Sequence, residues 1–214
     1  LRRMVLSSRV DVGVKREFGM SGPLVALVVL LTVISPLALT AGEAAAQHTR
    51  RSAVTAIDLK HCKLLRKNPD GNAHLCPGLG QHKIYVAEED LRFFVNAGLQ
   101  PERGRGSLQT LRPVNTIFKG NSGRASIEWR LGRDLAQNPH ALIVRHFTEH
   151  DGAKGQGLVV LKVSRGESCQ VGMIDAESNE NALELARQIA DEKAFTFSCK
   201  DDPQVYGAVG KSPM

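Results

Sequence analysis

Aromatic side chains are scarce: Phe, Trp and Tyr make up 5% of the 214 residues, with a single Trp. Leu, Val, Ile and Ala must therefore fill any core, and a hydrophobic share of 42% is enough for them to do so. Low-complexity and repeat patterns are missing, which excludes a fibrous or broadly disordered chain. No G-x-S-x-G is present and no G-x-x-x-x-G-K-[ST], so neither a nucleophile elbow nor a phosphate loop can be assigned. The apolar run Leu24–Leu39 falls short of the about 20 residues a membrane-spanning helix requires, and Pro36 lies near its end.

That run belongs instead to an export signal. Lys15 and Arg16 precede it, and Ala44-Ala45-Ala46 follow it. A basic segment, an apolar segment and a small-residue A-x-A site are the three parts of a cleavable secretory signal. We expect a cut near Ala46, with membrane contact only in transit. Met20 opens a conventional signal by itself. The removed part holds five basic and three acidic residues, which leaves 23 basic against 19 acidic, a surplus of four. So small a surplus does not mark a nucleic-acid binder. The expected organisation is a signal over 1–46, a leader over 47–53, one domain over 54–200 and a disordered tail over 201–214.

All four cysteines, Cys62, Cys76, Cys169 and Cys199, fall in the mature part. An even count behind an export signal reads as a disulfide framework. Between Cys62 and Cys76 stands Asn68-Pro69-Asp70-Gly71-Asn72, a turn that doubles the chain back. From Cys169 to Ile174 a strand climbs roughly 20 Å at 3.3 Å per residue. A helix over about Asn179–Ala194 then returns roughly 24 Å at 1.5 Å per residue. The two lengths nearly cancel, so we expect Cys62–Cys76 and Cys169–Cys199. Zinc is the competing reading of His61, Cys62, His74, Cys76 and His82, but the spacing fits poorly and disulfides consume the thiols. No metal or cofactor is expected.

Strands are expected over Lys83–Ala87, Ala125–Leu131, His140–Thr148, Gly157–Ser164 and Cys169–Ile174, with weaker candidates at Val54–Leu59 as a short edge strand, at Leu91–Ala97 as a strand or a helical turn, and at Leu108–Phe118. In Ala125–Leu131, Ile127 and Trp129 share a face. Short glycine-bearing turns between strands favour an antiparallel meander. One helix follows, with Ser178 as its cap. Its apolar stripe runs through Ala182, Leu185, Ala186, Ile189 and Ala190, and Glu184, Arg187, Asp191 and Glu192 are expected outside. The predicted class is α+β, an antiparallel β-meander with one C-terminal helix packed on it.

Candidate chemistry is thin. His140, His146 and His150 share parity along one strand and, with Glu149, sketch an acid/base or metal site. Gly155-Gln156-Gly157 reads as a hairpin loop. Arg103, Arg105, Arg112, Lys119, Arg124, Arg130, Arg133 and Arg145 make 101–146 basic, against Glu102, Glu128 and Asp134. Arg103, Arg105 and Arg124 are the candidate patch for an anionic envelope component, and a solvated face is the plainer reading.

Cys76-Pro77-Gly78 before Lys83-Ile84-Tyr85-Val86, then Ala141-Leu142-Ile143-Val144-Arg145, Gly166-Glu167-Ser168-Cys169-Gln170-Val171-Gly172 and Ala186-Arg187-Gln188-Ile189-Ala190-Asp191 resemble a family of uncharacterised exported bacterial proteins. The resemblance implies export and two disulfides, and it brings no catalytic residue. The expected function is a non-enzymatic, periplasmic or secreted binding module; the alternative is a small hydrolase built on His140, His146 and His150.

Overall fold

The computed structural model describes residues 52–120, 122–132, 138–165 and 167–214. The expected signal, leader residues 47–51, Arg133, Asp134 and Gly166 lie outside them.

The described elements are β1 (Ser52–Asp58), β2 (Lys63–Asn68), β3 (Gly71–Pro77), β4 (Lys83–Glu89), β5 (Arg92–Gly98), β6 (Val114–Thr116), β7 (Arg124–Leu131), β8 (Pro139–His150), β9 (Ala153–Val163), β10 (Ser168–Asp175), α1 (Ala182–Lys193) and β11 (Gln204–Tyr206). This is the α+β class, with antiparallel strands and one helix packed on a sheet. The strands divide between two sheets. β2-β3-β4-β5 form a four-stranded meander, and β1-β7-β8-β9-β10-β11 form the larger sheet, with β6 paired to β8.

Alternation explains the layering. Ile84 and Val86 on β4 and Val95 and Ala97 on β5 point from the small sheet into a shared core. Ile127, Trp129, Leu142, Val144, Val159 and Leu161 meet them from the large sheet. Each sheet thus buries its apolar face against the other. The opposite face of the large sheet presents Ala141, Ile143, Leu158, Val160 and Val171 to the Ala182, Ala186, Ile189 and Ala190 stripe of α1. The result is three layers: small sheet, large sheet, helix.

Both disulfides join the cysteines that the chain geometry brings together. Cys62 and Cys76 are bonded across the start of the β2–β3 hairpin, with Cα atoms 4.3 Å apart. Cys169 on β10 is bonded to Cys199 beyond α1, with Cα atoms 5.7 Å apart.

Four local expectations are corrected. The hairpin between β8 and β9 turns at Asp151–Gly152, both at positive φ, so Gly155 and Gly157 lie inside β9 and form no loop. Ser178 does not cap α1: its hydroxyl donates to Asp175 Oδ2 at 2.6 Å, and the helix starts at Ala182 behind Asn181. Arg187 and Asp191 do not face solvent; both reach the sheet. Finally, the segment over 201–214 is no loose tail. It supplies β11, parallel to β10, so that β10-α1-β11 is a crossover unit.

The tail is held by one carboxylate. Asp175, fully buried, accepts hydrogen bonds at Oδ2 from the backbone N–H groups of Gly210, Lys211 and Ser212, each at 3.0 Å. At Oδ1 it accepts from the N–H groups of Glu177 and Ser178. Burial pushes its pKa up, but hydrogen bonds from Ser178 and Ser212 outweigh that and hold it far below the usual carboxylate range. Gly155 and Gly157 leave room for the last residues of the chain: a Cβ on Gly155 would stand 2.5 Å from the Ser212 Cβ, and one on Gly157 would stand 2.9 Å from Met214 Sδ.

Candidate functional site

Along β7 the residues alternate between the two faces of the large sheet. Ile127 and Trp129 enter the sandwich core, which leaves Glu128 and Arg130 on the helix side. On α1, Arg187 and Asp191 are four residues apart and share a helix face. The two pairs interlock. Arg130, with no exposed side-chain surface, donates from Nε to Asp191 Oδ1 at 3.1 Å and from Nη2 to Asp191 Oδ2 at 2.6 Å. Arg187 donates to Glu128 Oε1 at 2.8 Å and Oε2 at 3.0 Å. Ser52 Oγ lies between the two, donating to Glu128 and accepting from Arg130 Nη1. Both carboxylates have depressed pKa values. Burial pushes each up, but hydrogen bonds and charge from Arg187, Ser52 and Arg130 outweigh it at Glu128, and the neighbouring His140 and the hydrogen-bonded Arg130 do so at Asp191.

One member of this network, Asp191, also lines a cleft of about 870 Å³ at the open end of the layers. Such a volume lies within the roughly 300–1,000 Å³ range of small-ligand sites. The cleft is lined by the β3–β4 turn at Gly80–His82, by Leu99 after β5, by the ends of β7, β8 and β9, and by Asp191, Ala194 and Phe195 near the C-terminal end of α1. Residues 133–137, which follow Gly132 on its rim, lie outside the described residues. His140 stands in the wall of this cleft, 8% exposed. Its ring stacks on Phe195 with centroids 4.3 Å apart and planes 14° from parallel. Nε2 lies 3.5 Å from Asp191 Oδ1, yet neither ring nitrogen completes a hydrogen bond among the described residues.

A smaller cavity of about 270 Å³ adjoins it; the two share Leu99 and Ser164, and Arg103 lines the smaller one. The hydroxyl of Ser164 donates to the Glu167 carbonyl at 2.6 Å.

The three histidines are not brought together. His146 is buried, and its Nδ1–H donates to Asn115 Oδ1 at 2.9 Å. Asn115 Nδ2 donates to the Leu111 and Pro113 carbonyls, which fixes Oδ1 as the acceptor. Burial drops the pKa of His146 to about 4, so it is a neutral core residue. His150 is exposed, 3.4 Å from Asp151. Six residues of extended strand, about 20 Å, separate His140 from His146. Shared parity did not keep them on one face either: the register shifts at His140, which meets Asp191 and Phe195 on the helix side, whereas alternation leaves His146 on the side of Leu142 and Val144.

The three candidate arginines do not form one patch either. Arg105 donates to the Cys199 carbonyl and, at 3.2 Å, to Asp202. Arg124 pairs with Asp58 at 3.2 Å. Register puts Arg130, Ala141, Lys162 and Cys169 in one row across the large sheet. Arg124 lies six residues from that row, about 20 Å along the strand and three strands away from Cys169. Of the other basic residues, Arg130 is buried in the network and Arg145 donates to Gln156 at 2.9 Å. In the former zinc reading, Cys62 and Cys76 are spent in their disulfide.

Sequence reasoning chose His140 but missed its surroundings. The usable signal was charge complementarity: Glu128 and Arg130 on the non-core parity of β7, and Arg187 and Asp191 at helical spacing. Comparison of the chain with protein-family models, curated proteins and solved structures finds no match. Among the described residues no helix is long and apolar enough to cross a membrane.

Proposed function

We propose that this chain is an exported binding module of the bacterial envelope, and that its ligand occupies the cleft at His140. The observation that carries this is an imidazole more than nine-tenths buried in a cleft wall, held by Phe195 and Asp191, with both nitrogens unsatisfied by the described protein. Buried polar atoms are ordinarily paired, so an unpaired imidazole in a cleft wall marks the cleft as the place where a bound group, once the wall adjusts around it, would complete the pairing. Binding is favoured over hydrolysis because the hydroxyl of Ser164 is committed to a backbone carbonyl. Two disulfides suit the periplasm or the outside of the cell, where such bonds persist. The likeness to exported bacterial proteins belongs to the same proposal.

The test is backbone-amide NMR of the purified protein titrated with fractions of envelope extract. Shifts concentrated at Gly132, His140, Lys162 and Phe195, and lost in Phe195→Ala, support the reading. Shifts confined to other surfaces, or none from any fraction, sink it. For export, N-terminal sequencing of protein recovered from the periplasm or medium should begin near Gln47; recovery from the cytoplasm with the leader intact would refute it.

A further inference from the structure

Resting on that reading of the cleft, we infer that its ligand is an acidic oligosaccharide: a hydroxylated, ring-bearing body carrying carboxylates. Three observations lead there. First, the charges around the two joined cavities are unequal in their pairing. Lys162 Nζ is 3.1 Å from Glu167 and donates to the Phe197 carbonyl at 2.7 Å, and Asp191 is held by Arg130. Arg103 and Arg165 line the cavities, and their guanidinium groups have no ion-pair or hydrogen-bond partner among the described residues. An exposed guanidinium offers a fork that matches a carboxylate.

Second, the field is graded. α1 presents its C-terminal end to the cleft, and the carbonyl end of a helix disfavours anions. An anionic group therefore belongs toward Arg165 and Arg103, and the uncharged part of the ligand belongs beside Phe195. A compact anion such as phosphate would fill only one end and leave the rest unused.

Third, the lining beside Phe195 is what a sugar requires. A sugar ring has an apolar C–H face and a hydroxyl rim. Phe195 is 60% exposed although one face of its ring is stacked on His140, and Leu99 is 47% exposed. The side-chain amides of Gln81 and Asn138 have no hydrogen-bond partner among the described residues, and an amide both donates and accepts, as hydroxyls need.

The experiment is calorimetric titration of the purified protein with a short oligogalacturonate, a neutral oligosaccharide of the same length, inorganic phosphate, and vesicles of anionic phospholipid. We expect the oligogalacturonate to bind best. The exposed pair Arg103→Gln with Arg165→Gln should weaken it about tenfold or more, as loss of charge-assisted hydrogen bonds does, and Phe195→Ala should weaken it too. Equal binding of the neutral sugar, undiminished by the arginine changes but lost in Phe195→Ala, overturns the acidic assignment and leaves the cleft a binding site. Phosphate binding as tightly as the oligogalacturonate, or vesicles bound in its place, overturns the sugar assignment. Binding of none of the four, while envelope extract still shifts the cleft amides, overturns this inference alone; silence in both experiments removes the cleft reading with it.

Discussion

Toward the small sheet, the large sheet offers Ile127, Trp129, Leu142 and Val144, bulky side chains that interdigitate with Ile84, Val86 and Val95. Toward the helix it meets mostly alanines, with Ile189 the one bulky residue of the buried stripe, and the specificity that bulk would supply comes from Arg130, Asp191, Glu128 and Arg187. The first contact is stabilised by removing apolar area from water, which is strong and indifferent to direction. The second buries less per residue and adds ion pairs, which demand one geometry. A single sheet thus carries a contact that sets how firmly the domain holds together and another that sets where the helix lies.

The comparison can be broken by paired substitutions. Trp129→Ala on one face and Arg130→Ala on the other should each lower unfolding free energy in urea by about 3–5 kcal/mol, one by opening a cavity and the other by leaving buried carboxylates uncompensated. They should differ in rescue. Arg130→Leu combined with Asp191→Leu should recover most of the loss, whereas a second change beside Trp129→Ala should not. An unrecovered double variant would mean that the ion pairs do more than fix geometry.

Acid should weaken the two faces in different windows. His146 lies on the same side of β8 as Leu142 and Val144, and its pKa falls from 6.5 to about 4 on burial. A depressed histidine binds fewer protons folded than unfolded, so its contribution is complete above pH 6.5 and is lost as pH falls toward 4. Unfolding free energy should drop by roughly 3 kcal/mol across that window, and the slope should vanish in His146→Gln. Asp191 and Glu128 are depressed carboxylates, so their contribution is present above the unfolded value near 4 and fades only below it. Asp191→Asn should flatten the curve below pH 4 and leave the upper window alone.

The smallest effect concerns the staples. Cys62–Cys76 closes a separation of 14 residues beside the sandwich, and Cys169–Cys199 closes 30 beside the helix. In the chain-entropy account these contribute about 3 and about 3.7 kcal/mol. Replacing each pair by serines should show the helix-side bond to be worth more by about 0.7 kcal/mol; a reversed order would point to residual structure in the unfolded chain.

What could be read in the sequence obeys the same division. Alternation in Ala125–Leu131 and the Ala182–Ala190 stripe announced both apolar faces, the turn at Asn68–Asn72 paired Cys62 with Cys76, and strand and helix lengths paired Cys169 with Cys199. The split into two sheets was not legible, because short turns join antiparallel neighbours whether or not those neighbours stay in one layer. β2 escaped notice because its side chains, Leu64 and Leu65 included, are exposed on both faces and show no period. Order in residues 201–214 depends on Asp175, whose appetite for distant N–H groups leaves no local mark. At the site, His140 stood out by residue type, but its partners come from β7 and α1, and no spacing rule links them.

Ala182, Ala186, Ala190 and Ala194 recur every fourth residue and, beside Ile189, carry the helix against the sheet on short side chains. Interaxial separation follows the size of the side chains at a contact. That row is therefore a shim: its thickness fixes the height of Asp191 and Phe195 above the strands, and with it the aperture of the cleft they border. Exchanging Ala190 for valine would act as a spacer at the mouth, changing what fits without touching any group that lines it.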